Sequence, residues 1–565
     1  MSQNESANFF DTADISLVNF PFLSEHDLSR LARELSLSMG SLGLRFCQSY
    51  YRTQKRDPRI EELRLLDSIV KDGYARPDTL LLSEMTTESD AIADTFADLM
   101  TRRSAAQRAD KKPLSLATLA GLMEAWLTLH DPEDASPADV GIRFSPYRDL
   151  LLAADGYQHT ASSGNEDTDI SIGVRPHAFA KNTQAPTAGD YVFAVLSPEG
   201  AGEPFFRTLS GFLSSPAITE VVKSVKIVKK QVLLPLLVDM EVGMTVYPER
   251  VFKDMDPVSA LVQPVTGALL IASPSLSADL LLEAQDCDLR VCLLAKIGAA
   301  DTLRVTANGS TMQLHLSFLR SLTFPRLCTA TVKAPSDGEA DVSLNRIGTC
   351  TLNGRRNAVV KVDAHGTASF RAALLGTVYS LSHCVAAGAD VTKTKLATAL
   401  TLSPHRIGDA LGAILGLYRA QAELALRGNP PCLTIDKAAE TSFSAVTVAP
   451  LPAVTPSATA QGKGTKIFYL DPLYTADGIP DFADLKKLYG YVGALIADGK
   501  VLSIRPTDED LLTDLEEMSR DVVVEYIPNT PISSHIGGFL VETNGDIEGI
   551  LLAKTENPDK CEADS

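Results

Sequence analysis

Apolar residues recur at three- and four-residue spacing from Ser24 to about Leu129, which predicts helices. "SEHDLSRLARELSLSMG" opens on Ser24, a residue type whose side chain accepts the free N–H groups of a first helical turn. "RDPRIEELRLLDSIV" predicts a second helix, with Asp57 as its cap, Pro58 at its first position and acidic residues in its first turns. "SLATLAGLMEAWLTLHD" predicts a third, with the chain's only tryptophan, Trp126, as a core residue. Between about Pro132 and Pro186 the periodicity fades among Gly, Ser, Asp and Thr, so loop with short strands is expected. Beyond it, short β-runs alternate with helices. "YVFAVL" (Tyr191–Leu196), "GALLIAS" (Gly267–Ser273) and "RVCLLAK" (Arg290–Lys296) predict strands. "SFRAALLGTVYSLSHCVAAGADVTKTKLATAL" and "GDALGAILGLYRAQAELAL" predict helical stretches that pack through Ala and Gly. "APLPAVTPSATAQGKG" (Ala449–Gly464) reads as a linker or long loop.

Three of the β-run markers recur in the same order. "GDYVFAVLSPEG" is echoed by "GTKIFYLDPLYTADG" and "GALLIAS" by "GFLVETN", while "LLAK" occurs at Leu293 and again at Leu551. Matching order makes a duplicated α/β module the expectation.

Length and charge narrow the function. A chain of 565 residues has room for roughly three to five domains. Its 52 Lys and Arg against 71 Asp and Glu give a net charge of -19, which argues against general binding to nucleic acid or anionic membrane. The local exception, "KSVKIVKK" (Lys223–Lys230), reads as a solvated helix or strand edge. The N-terminus lacks the basic and apolar regions of a secretory leader, and the longest uncharged apolar run is short of the ~20 residues a membrane span needs. Eight scattered cysteines with no CxxC pair point away from a zinc site or a disulfide framework and toward buried thiols in a reducing cytosol.

"FCQSYYRTQKRDPRIEELRLLD" (Phe46–Asp67), "VAAGADVTKTKL", "GDALGAILGLYRAQAEL" and "KIFYLDPLYTADGIPDFADLKKLYGYVGALIADGKVLS" (Lys466–Ser503), in this order, resemble the formylglycinamidine ribonucleotide (FGAM) synthase family in its large single-chain form. That family comprises ATP- and glutamine-dependent amidoligases of purine biosynthesis. The resemblance runs from about Ser16 to Lys554. It implies an α+β or α/β fold of duplicated aminoimidazole ribonucleotide (AIR) synthase-like A/B half-domains with pseudo-twofold symmetry, preceded by a helical linker domain and with the first A half strongly reduced. The boundaries expected are a helical N-terminal and linker domain over 1–130, a reduced first A half over 131–186, a first B half over 187–325, a second A half over 326–455, a second B half over 464–556 and a tail over 557–565.

The family's chemistry does not carry over. Its Asp-His-Cys-Arg-His run falls here on Asp72, Gly73, Tyr74, Ala75 and Arg76, so both imidazoles and their proton-carrying role are gone. The motifs that serve phosphate and Mg²⁺ in the first A half are replaced by the short "RFSPYRDLLLAADGYQHTASSGNEDTDISIG", whose acidic "SSGNEDTD" reads as a solvated turn. The Gly-Gly-Lys-Asp-Ser motif of the second A half meets "PCLTIDKAAETSF", with no glycine pair. No glutaminase domain follows "GILLAKTENPDK", and Cys561 lacks a nucleophile's context. His383, beside Cys384, reads as a buried helix residue. No catalytic residue and no metal site are therefore expected, and no cofactor, although the family uses ATP and Mg²⁺. What remains is a remnant phosphate or ligand site at Arg56, Asp57, Glu62, Arg64 and Asp67, since Arg forks suit phosphate. The competing reading of those residues is an ion-pair network that caps the helix. The expectation is a degenerate FGAM synthase homologue without amidoligase activity, serving binding, scaffolding or regulation in a bacterial cytoplasm. Its expected partners are a second copy or a genuine FGAM synthase, with neither nucleic acid nor membrane. The alternative is an active or accessory synthase subunit with an altered site.

Overall fold

A computed structural model describes residues 17–73, 76–106, 113–122, 140–144, 158–162, 170–174, 185–197 and 203–556, with short breaks at 254, 308–309, 353–354, 390, 429–430, 437–439, 463, 509 and 529–532. Trp126, the "SSGNEDTD" turn, Tyr74, Ala75 and Cys561 lie outside the described residues. These fall into two compact units: one from Met1–Thr79, Asp139–His159 and Asp169–Arg326, the other from Leu80–Ala138, Thr160–Thr168 and Leu327–Ser565. No described helix is long and apolar enough to cross a membrane.

In the first unit, three helices lead: α1 (Glu25–Glu34), α2 (Gly40–Gln54) and α3 (Ile60–Gly73). Ser24 Oγ accepts the Asp27 N–H at 3.2 Å, as its residue type predicts. The sheet beneath is built from β1 (Tyr191–Leu196), β2 (Val222–Val232), β3 (Met244–Val246), β4 (Pro264–Ala272), β5 (Cys292–Ile297), β6 (Thr302–Ala307) and β7 (Ser310–His315), in the order β7-β6-β3-β5-β1-β4-β2. Strand side chains alternate between faces, and β1 is covered on both. Val192 and Ala194 join Leu28, Leu44, Leu63 and Ile69 of the helices, while Phe193 and Val195 join Leu209, Phe212 and Leu280 on the far side. That two-sided burial is why "YVFAVL" reads as an unbroken apolar run. The basic "KSVKIVKK" lies in β2, at the sheet's edge, and Lys223 is held there by Asp190 at 2.8 Å.

The second unit opens with a correction. Leu80–Thr87, within the region read as helical, is a strand paired with β8 (Arg326–Val332). Its partner lies far along the chain, and pairing overrides local helical periodicity. The helix that follows, Asp90–Ala106, is tied by a 2.5 Å hydrogen bond from Tyr418 Oη to Asp98. The main sheet runs β9 (Asp341–Leu352), β10 (Arg355–His365), then α4 (Ser369–Ala386), β11 (Lys395–Leu402), α5 (Ile407–Leu424) and β12 (Ser442–Pro450), with strand order β9-β10-β12-β11. Gly388, at φ +80°, ends α4, so "KLATAL", read as helix, forms β11 instead. Small residues do join α4 to α5: a Cβ on Gly416 would stand 2.0 Å from the Phe370 carbonyl oxygen.

A second sheet in this unit contains β13 (Lys466–Leu470), followed by α6 (Phe482–Ala497), β14 (Ser503–Pro506), α7 (Leu511–Met518), β15 (Val524–Tyr526), β16 (Phe539–Thr543) and β17 (Ile550–Thr555), in the order β14-β16-β13-β17-β15. The first unit contains the same arrangement as β2-β4-β1-β5-β3. The match extends to single residues. Tyr191 of β1 stands opposite Ala272 and Lys296; Lys466 of β13 stands opposite Thr543 and Lys554. A bulge falls between Val192 and Phe193 against β5, and between Ile467 and Phe468 against β17. Met244 meets Ile297 where Val524 meets Thr555. Counted from the repeated sequence markers, Tyr191 and Lys466, Ala272 and Thr543, and Lys296 and Lys554 are equivalent positions.

Candidate functional site

The lead-in to α3 reaches a cleft of about 430 Å³ in the first unit, walled by Gln54, Arg56, Asp57, Arg59 and Glu62 on one side and by the β7 residues Thr311–Gln313 and His315 on the other. The charged groups at its mouth are arranged by the helix start. α3 begins at Ile60, so Pro58 precedes it and Asp57 does not cap it. Asp57 instead accepts the N–H groups of Asn19 (3.2 Å) and Phe20 (3.0 Å), the latter shared with the Leu17 carbonyl. Capping falls to Glu62, whose Oε2 accepts the Arg59 N–H at 2.9 Å, the returning half of a capping box.

Glu62 also takes both arms of Arg56, at 2.7 Å each, in the two-pronged geometry that carboxylates and guanidinium groups favour. The carboxylate is 2% exposed and the guanidinium 38%. The hydrogen bonds it donates to Glu62 hold the Arg56 guanidinium further above its already high range. Its carbon lies 5.0 Å from the centre of the Tyr51 ring. Tyr51 is fully buried, its hydroxyl finds no partner among the described residues, and burial lifts that phenol well above its usual range. Beside it, Tyr50 stacks on Phe318 at 3.7 Å and accepts the His315 N–H at 3.3 Å.

Of the five residues expected to hold a ligand, Arg56, Asp57 and Glu62 line this cleft. Arg64 is exposed on α3, and Asp67 accepts the Met39 N–H at 2.7 Å; neither reaches it. The positions that resemble the family's histidine run hold a clamp instead. Arg76 donates to Asp239 (2.8 and 2.9 Å) and to Asp78 (3.1 and 3.0 Å). Burial opposes its charge, but the two carboxylates outweigh it and raise the guanidinium further. Sequence reasoning missed the β7 residues of the cleft, His315 among them, because β7 becomes a neighbour of α2 only in the fold, where the Tyr50 hydroxyl accepts the His315 N–H. Among the described residues, no three His, Cys, Asp or Glu side chains converge to hold a metal ion.

No protein-family model matches the chain. No curated protein matches it either. Solved structures do. Thermotoga maritima PurL complexed with AMPPCP aligns over 91% of this chain and 100% of its own, with a TM-score of 0.54 at 12% identity. The fold is PurL-like. T. maritima PurL complexed with ATP aligns over 68% of this chain and 74% of its own (TM-score 0.51, 13% identity), and phosphoribosylformylglycinamidine synthase II from Thermotoga maritima over 91% and 100% (0.50, 12%). The mixed helix and sheet architecture is thus that of the PurL-like, AIR synthase-related fold.

Proposed function

We propose that this chain is a PurL-like protein that has lost amidoligase turnover and keeps the frame for binding, scaffolding or regulation. One observation carries the reading: the charged residues in and around α3 are already engaged. Arg56 is held by Glu62, Asp57 by the N–H groups of residues 19 and 20, Asp67 by Met39, and Arg76 by Asp78 and Asp239. Phosphoryl transfer needs carboxylates turned to a metal and cations turned to phosphates, and these groups are turned to each other. At this cleft they leave no carboxylate turned to Mg²⁺ and no guanidinium turned to ATP, and no cofactor is proposed. The two five-stranded modules are read as copies of one ancestral module and as the cores of B halves over 187–325 and 464–556, with 1–130 as linker domain, 131–186 as reduced first A half and 326–455 as second A half. A cytoplasmic, bacterial setting and a genuine synthase or second copy as partner complete the proposal. Purified protein supplied with ATP, Mg²⁺, ammonia and formylglycinamide ribonucleotide is expected to release no ADP above background; sustained release overturns it. A second reading, an accessory subunit that binds a phosphorylated ligand, is favoured by the cleft beside Arg56. It requires a thermal shift with purine intermediates that Arg56→Gln abolishes.

A further inference from the structure

Each five-stranded module contains a strand of three residues, β3 in the first unit and β15 in the second. Their bonds to the interior of the module match. In the first, the Tyr247 N–H donates to the Leu294 carbonyl and the Gly298 N–H to the Gly243 carbonyl, both at 2.8 Å. In the second, the Ile527 N–H donates to the Leu552 carbonyl at 2.8 Å and the Glu556 N–H to the Val523 carbonyl at 3.0 Å. With Met244 opposite Ile297 and Val524 opposite Thr555, residues 243–247 and 523–527 correspond. In an antiparallel pair the N–H and C=O groups of successive residues point to opposite sides. Those of Met244 and Val246 therefore point away from β5, and those of Val524 and Tyr526 away from β17. β6 takes up the first set as a parallel strand, with Leu303, Arg304 and Val305 beside Met244, Thr245 and Val246. Among the described residues, no strand takes up the second.

The side chains show what such a strand supplies. Leu303 and Val305 are buried with Met244 and Val246 in one core, while Arg304 stays at the surface. On β15 the same inward positions are less covered. Val524 is half-buried, and Tyr526, the counterpart of the fully buried Val246, is 46% exposed. Glu525, the counterpart of Thr245, is exposed, with Lys554 opposite it on β17. The route by which the first module fills this edge is closed in the second. The turn from β5 to β6 passes so near Gly243 that a Cβ there would stand 1.6 Å from the Ala300 carbonyl oxygen. The counterpart of Gly243 is Val523, so a following strand cannot reach β15 by the same turn. The edge is left to a segment that arrives from another chain.

We propose that the outer edge of β15 docks an extended segment of a partner protein as a parallel strand, with apolar residues beside Val524 and Tyr526 and a Lys or Arg between them beside Glu525. Main-chain hydrogen bonds to Val524 and Tyr526 give such an addition its affinity, and alternate side chains give it selectivity. β6, with Leu-Arg-Val in register, is the pattern that the corresponding strand already accepts. Glu525 sharpens the choice. A cation beside it continues the alternation of charge begun by Lys554, whereas an acid meets a like charge directly opposite. Docking here requires nothing of the cleft beside Arg56, so it is tested separately from turnover.

The probe is the hexapeptide TLRVTA, the sequence of β6, with TLEVTA as its charge-reversed control, each added to the full chain. Fluorescence anisotropy of labelled TLRVTA is expected to saturate below millimolar peptide. TLEVTA is expected to bind about fivefold more weakly, the difference between an attractive and a like-charge cross-strand pair. Glu525→Lys is expected to invert that preference, with circular dichroism confirming its fold. Under saturating TLRVTA, hydrogen exchange is expected to slow about tenfold at the Val524 and Tyr526 amides and to stay unchanged at Glu525, whose N–H already faces β17. No saturation at millimolar TLRVTA, equal affinity for the two peptides in wild-type protein, or protection that misses Val524 and Tyr526 overturns the site. Light scattering is expected to give one mass with and without peptide. A dimer that TLRVTA splits makes a second copy the occupant and overturns docking of a different protein.

Discussion

Removing Arg56 is expected to cost more than removing the residue it pairs with, and the asymmetry follows from burial. Glu62 is 2% exposed and Arg56 38%. Arg56→Ala strands a buried carboxylate with a single remaining donor, the Arg59 N–H, at about 2–3 kcal/mol. It also removes the contact with the Tyr51 ring, worth about 0.5–1 kcal/mol at a partly exposed site. Glu62→Ala frees a guanidinium that turns to water, so its cost is mainly the helix-start hydrogen bond, about 1 kcal/mol. Arg56→Ala is thus expected to destabilise by about 3 kcal/mol, Glu62→Ala by about half that, and the double variant by less than Arg56→Ala alone. Two compact units make a single global unfolding energy ill-defined, so local opening is the quantity to measure. Hydrogen exchange across Ile60–Gly73 is expected to speed up roughly a hundredfold in Arg56→Ala. Unchanged protection there, or a larger effect from Glu62→Ala, refutes the structural role assigned to the pair. It would return Arg56 to the ligand-binding reading.

His383 supplies a pH dependence. It is 8% exposed, its Nε2 has no partner among the described residues, and burial, with Arg505 adding to it, drives the imidazole down to about 3. The folded state therefore favours the neutral ring. Its contribution is complete above the unfolded value near 6.5 and is lost as pH falls toward 3, about 3 kcal/mol by pH 4. His383→Leu is expected to flatten that part of the stability-against-pH curve of the second unit; parallel curves for the two proteins would rule this out. Glu542, fully buried, accepts hydrogen bonds from the N–H groups of Gln461 and Gly462 and the hydroxyls of Thr465 and Ser503 at 2.6–3.0 Å. Glu542→Gln turns an NH₂ toward donors and is expected to cost about 3 kcal/mol, read as faster exchange at β13 and β16 with the first unit unaffected.

Local chemistry was legible where one short segment decides the outcome. Ser24 caps α1, and "YVFAVL" forms β1 because its apolar residues are wanted on both faces of a sheet. The repeat markers fall on strands that pair alike, Tyr191 with Ala272 and Lys296 as Lys466 with Thr543 and Lys554, since strand register ties sequence position to spatial position. Segments whose state depends on a distant partner were misread. Leu80–Thr87 needs β8, and "KLATAL" needs β12. Asp57 was misassigned for the same reason: nothing near it in sequence announces the N–H groups of Asn19 and Phe20. The five proposed ligand residues share one charged segment, yet the helix turns Arg64 and Asp67 away from the cleft that Arg56 and Glu62 enter.

The matching register of the central strands of the two five-stranded modules has a consequence for folding. Each central strand, β1 or β13, carries the spacing and the bulge that the other module's neighbours accept, so each module is a decoy for the other while the chain is unfolded. Polar residues at matched positions discriminate against the exchange. Thr465 donates to Glu542 in the correct pairing, and its counterpart beside β1 is Asp190. Strand β16 docked on β1 would bring the Asp190 carboxylate against that of Glu542 in a dry interior and strip Glu542 of its donors. Two buried acids of like sign would meet in the wrong assembly, and their repulsion would disfavour it over the correct pairing.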